Sequence, residues 1–292
     1  MTLRGKAAIV GFAELPNVRS LPGRSSASLL SEVSAMAIQD AGLRKEEIDG
    51  LITHHEPAIN ALSLAEYMQI AAVFCEAVTT HGASGTYAVE LAAMVVDAGI
   101  ADYVLCAFGG TSDPGMGGYK PSQLLGRSGA RPSLGGEWEG PFGPVVAMNG
   151  WYGLLKQRHM HQYGTTDRQF AKMAANQRFN GLTNPNALFK GQPITVEDVL
   201  NSRYTNEPIH LLESVMPCIG AGAVVVTTAE RARRLPNPPV YVLGAGGSAT
   251  THDVIWQKTG DITVTPVTQS ASKAYKISGY GPKDLQFAEM YD

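Results

Sequence analysis

The stretch from Val73 to Gly110 restricts the possible folds more than any other part of the chain. Its sequence, VFCEAVTTHGASGTYAVELAAMVVDAGIADYVLCAFGG, opens with a short apolar, β-tending run over Val73 to Val78 that breaks at Thr79-Thr80-His81-Gly82. Small residues then lead into an apolar segment from Tyr87 to Ala98, closed by Gly99, and a second apolar run at Tyr103 to Ala107 ends in Gly109-Gly110. The pattern predicts strand, tight turn, helix and strand, joined by a right-handed crossover in a parallel sheet. Glu90 and Asp97 are the only charges of that helix, so it is expected to be sandwiched between layers rather than laid on a surface. At the strand-to-helix corner, backbone N–H groups converge and the helix dipole adds partial positive charge, a setting that suits an oxyanion or an activated thiol. Taken alone, the residues leave open a plain βαβ corner whose small side chains serve packing.

The rest of the chain supplies material for a large α/β body. With 292 residues, 44% of them hydrophobic, it can bury a sizeable core and is too long for one small domain. Lys6 to Gly11 is predicted as a strand, Ser25 to Ala41 as a helix stopped by Gly42, Ile48 to Thr53 as a second strand and Ser63 to Gln69 as a short helix. The second strand runs into His54-His55-Glu56-Pro57. Neighbouring residues on a strand point to opposite faces, so two such histidines serve one site only if the chain turns there; otherwise they are solvated loop-end residues. Thr111 to Gly150 is rich in Gly, Pro and Ser with little apolar periodicity, which reads as a functional or partner-binding loop, with disorder the plainer alternative.

Three helices are predicted after it: Trp151 to Tyr163, Thr166 to Phe179 and Thr195 to Ser202, the last two opened by threonine caps. Arg158, His159 and His161 fall on the first, where residues two apart face different ways and read as surface or inter-helix groups. Gly220 to Thr228 is a strand apolar enough to be buried on both faces, followed by a short helix at Ala229 to Leu235 and a linker at Pro236, Pro238 and Pro239. Beyond the linker, VYVLGAG echoes AAIVGFA, and GPKDLQFAEMYD echoes LRKEEIDGLITH.

A net charge of −3 with scattered Lys and Arg gives no nucleic-acid signature. Met1 to Ala13 lacks the long apolar core of a signal peptide, and no run is long enough to span a bilayer. Cys75, Cys106 and Cys218 are odd in number, far apart and in apolar contexts, so they read as reduced core residues of a cytoplasmic protein without metal-ligand spacing.

The segment HGASGTYAVELAAMVVDAGIADYVLCAFG resembles the active-site segment of the thiolase superfamily, in which Cys-Ala-Ser-Gly opens a buried helix and Ala-Asp precedes the next strand. AAIVGFAE, EEIDGLI, GAVVVTTAERAR and the terminal AEMYD match as well, so the resemblance spans nearly the whole chain. It implies a thiolase fold: duplicated mixed α/β units in an α-β-α-β-α layering, with residues 1–235 forming the first unit. A loop domain at about 111–215 is then inserted to cover a coenzyme A thioester, and residues 236–292 begin the second unit. That unit stops after its second strand, where family members continue into a Gly-His-Pro segment. The expectation is a piece of a longer chain.

One departure decides the chemistry. The position of the family's nucleophilic cysteine is Gly82 here, and glycine cannot carry an acyl group. Ser84 matches a serine with a helix-start role in the family, and His81 stands beside the gap as a possible base. The oxyanion-binding backbone survives the loss of the cysteine and suffices for retro-aldol cleavage of a β-hydroxyacyl thioester through an enolate. AEMYD resembles a segment of sterol-carrier-type thiolases where histidine precedes the aspartate, and steroid side-chain aldolases of the superfamily have tyrosine there, here Tyr291.

The resemblance therefore implies a cysteine-less aldolase using Gly82, Tyr291 and His81. It takes coenzyme A thioesters as substrates, with no covalently bound cofactor, no metal and no residue singled out for holding coenzyme A. An acyltransferase with a displaced nucleophile and a non-catalytic lipid-carrying or scaffold subunit are the alternatives. The family also implies a homodimer, with Tyr103 to Ala107 expected at the sheet edge, and a small OB-fold acyl-CoA-binding partner on the glycine-rich loop.

Overall fold

The computed structural model describes residues 3–54, 59–110, 147–216, 218–249 and 260–290. Its centre is a mixed six-stranded sheet. Strand β1 is Ala7–Glu14, β2 Gly50–His54, β3 Phe74–Val78 and β4 Tyr103–Gly110. A two-residue-to-three-residue hairpin, β5 (Tyr204–Asn206) and β6 (Ile209–His210), stands apart from it, and β7 (Gly220–Thr228) and β8 (Val240–Tyr241) complete the sheet. The order across the sheet is β3-β2-β4-β7-β1-β8. β2 runs parallel to both β3 and β4, whereas β7 is antiparallel to β4 and to β1.

Helix α1 (Ser26–Asp40) and helix α2 (Ala61–Met68) cover one face, and α3 (Ser84–Asp97) covers the other. Ser25 caps α1 by accepting the Ser28 amide, and Leu29, Leu30, Val33 and Ala37 form its buried stripe against Leu51, Leu105 and Val225. On the opposite face, Ala88, Ala92, Val95 and Val96 of α3 meet Ile52, Val104, Cys106 and Val226. Alternate strand residues thus feed two apolar cores, as the period-2 geometry of a sheet covered on both faces requires.

The edge expected at Tyr103 to Ala107 is not there. β7 pairs with β4 along its whole length, from Tyr103 opposite Thr227 to Gly110 opposite Gly220, so β4 is an interior strand. Both runs are apolar and β-branched enough for burial, and no local signal in β4 announces that a partner returns more than a hundred residues later. The sheet ends instead at β3 and at β8.

The matching motifs have a physical role in holding the sheet together. Asp49, from EEIDGLI, accepts the amides of Asp102 (2.9 Å) and Tyr103 (2.8 Å), which ties the start of β4 to the start of β2. The Thr227 hydroxyl donates to the Asp102 carbonyl (2.7 Å) and Arg231 pairs with the Asp102 carboxylate (2.7 Å), so β7 is fixed at the same point.

Between β4 and β7 lie α4 (Ala147–Tyr163), α5 (Asp167–Gly181) and α6 (Val196–Asn201), and α7 (Ala229–Ala232) follows β7. The first starts four residues earlier than the sequence pattern places it, taking 147–150 from the glycine-rich stretch. The remainder of that stretch, with the partner site expected on it, lies outside the described residues, as do His55, Glu56 and Pro57. None of the described helices is long and apolar enough to cross a membrane.

The echo after the linker is visible in backbone detail. A Cβ on Gly11 would lie 2.4 Å from the Ala37 carbonyl and 2.7 Å from Ala41, because β1 passes tightly under the end of α1. A Cβ on Gly244 would lie 2.5 Å from the Ala274 carbonyl and 2.9 Å from the Ser278 amide, at the end of α8 (Val267–Ser278). Each helix is followed by a glycine of positive φ, Gly42 at 71° and Gly279 at 74°. Each then leads into a one-turn 3-10 helix closed alike: the Arg44 amide donates to Glu47 (2.9 Å), and the Gly281 amide to Asp284 (2.7 Å). Arg44 therefore corresponds to Gly281, one residue away from the register of the GPKDLQFAEMYD echo.

Candidate functional site

Three parallel strands, β3, β2 and β4, end together on one side of the sheet, and α3 begins there. β3 ends at Val78, opposite His54, the last residue of β2. A one-turn 3-10 helix, His81–Ala83, then turns the chain into α3. The corner is closed from within: Ser84 is buried, and its hydroxyl accepts the Thr80 amide at 3.0 Å. That bond accounts for Ser84 as a turn-forming residue. Gly82 lies in the turn and is exposed, and Ala83 gives α3 no side-chain cap, so among the described residues no side chain caps its first-turn amides from that position. A one-turn 3-10 helix and the start of α3, with its dipole, are therefore present at this corner.

His54 closes the same side. Alternation along β2 puts it on the face of Ile52, the α3 face, and its ring stacks on Phe108 of β4 with centroids 5.7 Å apart and planes 26° from parallel. The sequence weighed His54 only together with His55; the stacking partner lies more than fifty residues away and becomes visible only when β2 and β4 pair. β4 ends immediately afterwards in Gly109 and Gly110, with φ of 125° and 145°. A Cβ on Gly109 would lie 2.3 Å from the Gly220 carbonyl, so glycine is required where β4 and β7 close on each other.

Of the residues singled out from the sequence, Gly82 and His81 share this corner, and nothing is described of the His81 side chain. Tyr291 lies outside the described residues. Helix α3 carries Glu90 on the side turned away from the sheet, lining a cleft of about 410 Å³ with Gly246, Gly247, Lys273 and Lys276. Burial pushes the Glu90 carboxyl above its ordinary range, with Lys273 opposing that shift.

The cysteines are all free and lie elsewhere. Cys106 is buried on β4, its thiol pushed up to about 12 by burial, Cys75 is half-buried on the edge strand, and Cys218 is exposed, which corrects the expectation that all three belong to the core. Burial also raises the thiols of Cys75 and Cys218, so none of the three is set up as a thiolate.

In the inserted helices, His159 sits among Tyr163 (4.7 Å) and Phe170 (5.9 Å), an inter-helix aromatic cluster, and His161 is exposed. A group the sequence did not reveal is Lys156. It is buried, and its ammonium contacts Glu213 (2.8 Å), Asp167 (2.9 Å) and the Pro208 carbonyl (2.7 Å) above the Phe170 ring. These partners are spread over α5, the β5–β6 turn and the turn after β6, so no spacing in the chain announces them.

No protein-family model matches the chain. It is 34% identical over 301 residues to a steroid side-chain-cleaving aldolase of Thermomonospora curvata, covering 99% of this chain and 75% of the relative. It is 30% identical over 294 residues to a 17-hydroxy-3-oxo-4-pregnene-20-carboxyl-CoA lyase of Mycobacterium tuberculosis, covering 99% and 76%. Among solved structures, the Ltp2-ChsH2(DUF35) aldolase superposes with a TM-score of 0.84 at 31% identity over 97% of this chain and 72% of that one. The human mitochondrial 3-ketoacyl-CoA thiolase in complex with CoA gives 0.66 at 15% identity over 98% and 78%, a likeness of fold.

Proposed function

Since the chain belongs to the thiolase superfamily, among its steroid side-chain-cleaving aldolases, we propose that it cleaves a β-hydroxyacyl-CoA by a retro-aldol reaction at the corner between β3 and α3. The observation that carries this reading is Gly82: the turn that opens α3 offers amides and a helix dipole but no side chain to form a thioester. A base takes the proton of the β-hydroxyl, the Cα–Cβ bond breaks as the hydroxyl becomes a carbonyl, and its electron pair moves onto the thioester as an enolate. The enolate oxygen is held by the amides at Gly82, and a proton donor completes the shortened acyl-CoA. His81, beside the turn, is the proposed base.

Tyr291 is the proposed donor. Its support is positional: the correspondence of Arg44 with Gly281 carries His54, at the end of β2, onto Tyr291 in the second copy. The coenzyme A thioester is substrate, and the lipid is of the steroid side-chain class named for the relatives. The free cysteines support a cytoplasmic setting. A homodimer and an OB-fold partner of the DUF35 kind belong to the same reading, the second supported by the pairing named in the Ltp2-ChsH2(DUF35) aldolase.

The experiment is incubation with a β-hydroxyacyl-CoA and detection of a ketone or aldehyde together with the shortened acyl-CoA. Intact-mass measurement after exposure to acetyl-CoA should show no hydrolysable adduct. A stoichiometric acetyl group on Cys75, Cys106, Cys218 or Ser84 would restore acyl transfer in place of cleavage.

A further inference from the structure

Resting on the reading that makes Tyr291 the proton donor, we infer that Asn237 sets the register in which the chain beyond the linker joins the sheet, and so positions Tyr291 for the cleavage. Asn237 stands between Pro236 and Pro238 in the connection from α7 to β8 and is half-buried. Its side-chain amide donates to three oxygens on two elements: the Asp40 carbonyl (2.7 Å), the Asp40 carboxylate (3.0 Å) and the Val10 carbonyl (3.3 Å). Val10 is a bulge of β1, since Ile9 and Gly11 on either side of it face consecutive residues of β7, Val226 and Val225. The same Asp40 carboxylate accepts the Phe12 amide (2.9 Å), just past the bulge. One linker side chain is thus held both at the irregularity of β1 and at the last residue of α1. The residue before it is seated as tightly: a Cβ on Gly42 would lie 2.7 Å from the Pro236 ring.

The strand that follows has little of its own to choose a register. β8 is two residues long, Val240 and Tyr241 are 63% and 38% exposed, and Pro238 and Pro239 have no amide to donate. Neither strand residue fills a core, so the side-chain pattern that fixes most registers is missing, and only Val242, just beyond, packs against one. The backbone bonds that continue the pair run from the Val242 amide to the Ala7 carbonyl and from the Gly5 amide to the Val242 carbonyl, both 2.9 Å. Any register supplies bonds of that kind. The Asn237 contact is different, because its acceptors converge at one place along β1. A slip of two residues moves a strand by about 7 Å. α8 and the chain leading to Tyr291 follow β8, and a misplacement of only about 1 Å can cost a reaction about 10²-fold.

The test is residue-resolved amide hydrogen exchange at Gly5 and Val242, together with steady-state kinetics on 3-hydroxy-3-methylbutyryl-CoA, whose cleavage gives acetone and acetyl-CoA. Three variants of the full chain are compared: Asn237→Ala, Asn237→Asp, and Asn237→Asp combined with Asp40→Asn. The first removes the donor, the second turns a carboxylate toward Asp40, and the third returns an N–H to the contact from the opposite partner. Asn237→Ala is expected to speed exchange at both amides by about 10-fold or more, the size of one hydrogen bond to a charged group, while the Leu105 amide in mid-sheet exchanges as before. Its kcat should fall by about 10-fold or more with KM unchanged, a loss confined to the chemical step. Asn237→Asp should lose more, and adding Asp40→Asn should slow exchange again, whereas two changes that merely loosen the linker would add.

Unchanged exchange at Gly5 and Val242 in Asn237→Ala overturns the inference, and so does faster exchange with an unchanged kcat. If Asn237→Ala does not fold, the aspartate pair decides: slower exchange on adding Asp40→Asn upholds the inference, and none overturns it. An unsubstituted chain that cleaves nothing removes the aldolase reading and the positioning of Tyr291 with it, whereas the exchange result then upholds or overturns the register on its own.

Discussion

At the position where acyl transfer would need a thiolate, Gly82 leaves only backbone, so the demand on other residues falls on proton handling. Tyr291 is the residue most exposed to test. Tyr291→Phe keeps the ring and removes the hydroxyl, so substrate binding should be retained. Turnover on a β-hydroxyacyl-CoA should fall by about 10²- to 10³-fold if the phenol supplies the proton or steadies the enolate. Steady-state rates with KM unchanged would place the loss in the chemical step, and near-normal turnover would return the role to another group. The same residue scale shows what the sequence could and could not convey. Gly82, His81 and Ser84 were legible because they are neighbours in a motif, and the Ser84 hydroxyl makes a turn-forming bond to Thr80. The stacking of His54 on Phe108 was not legible, because it exists only through the pairing of β2 with β4.

The helices and strands that were predicted lie within a few residues of those observed, with Ser25 marking the start of α1 and Thr195 that of α6, whereas α8 and the β5–β6 hairpin were not singled out. What periodicity could not convey was how the inserted helices are held together. Lys156 joins α4 to α5 and to the turn after β6 with its charge buried, and Glu213 is only 10% exposed beside it. Lys156→Met should leave that carboxylate without its partner and cost about 3 kcal/mol, the lower end for breaking a buried pair from one side. Hydrogen exchange should report the loss in α4 and α5 first, with the sheet unchanged.

Helix α3 makes a second prediction at this scale. Burial raises the Glu90 carboxyl above its ordinary value of 4.5, so the folded state holds that proton to higher pH than the unfolded state does. The contribution of Glu90 to stability is therefore complete below 4.5 and is lost as pH rises through the folded-state value. Glu90→Gln does not ionise, so its melting temperature relative to the unsubstituted protein should climb from acid to neutral pH. A difference independent of pH would mean that the carboxyl is solvated in solution.

Across the whole molecule, the arrangement of strands decides where a second copy can attach. The apolar run of β4 was expected at an edge, and the antiparallel return of β7 encloses it, so among the described residues the outer strands of the sheet are β3 and β8. β3 is short and carries one exposed charge, Glu76, and Val73, which precedes it, is 71% exposed, so apolar surface meets solvent beside this edge. A two-fold dimer made by antiparallel pairing of two β3 strands would extend the sheet across both copies and place the two Gly82 corners near one continuous seam. Sedimentation at micromolar concentration should then give a dimer. Val73→Asp sets like charges against each other across the two-fold axis and should shift the equilibrium toward monomer by at least about 10-fold, while the fold, whose core residues it does not touch, keeps its melting temperature. A monomer at every concentration, or a dimer indifferent to Val73→Asp, would move the interface away from β3.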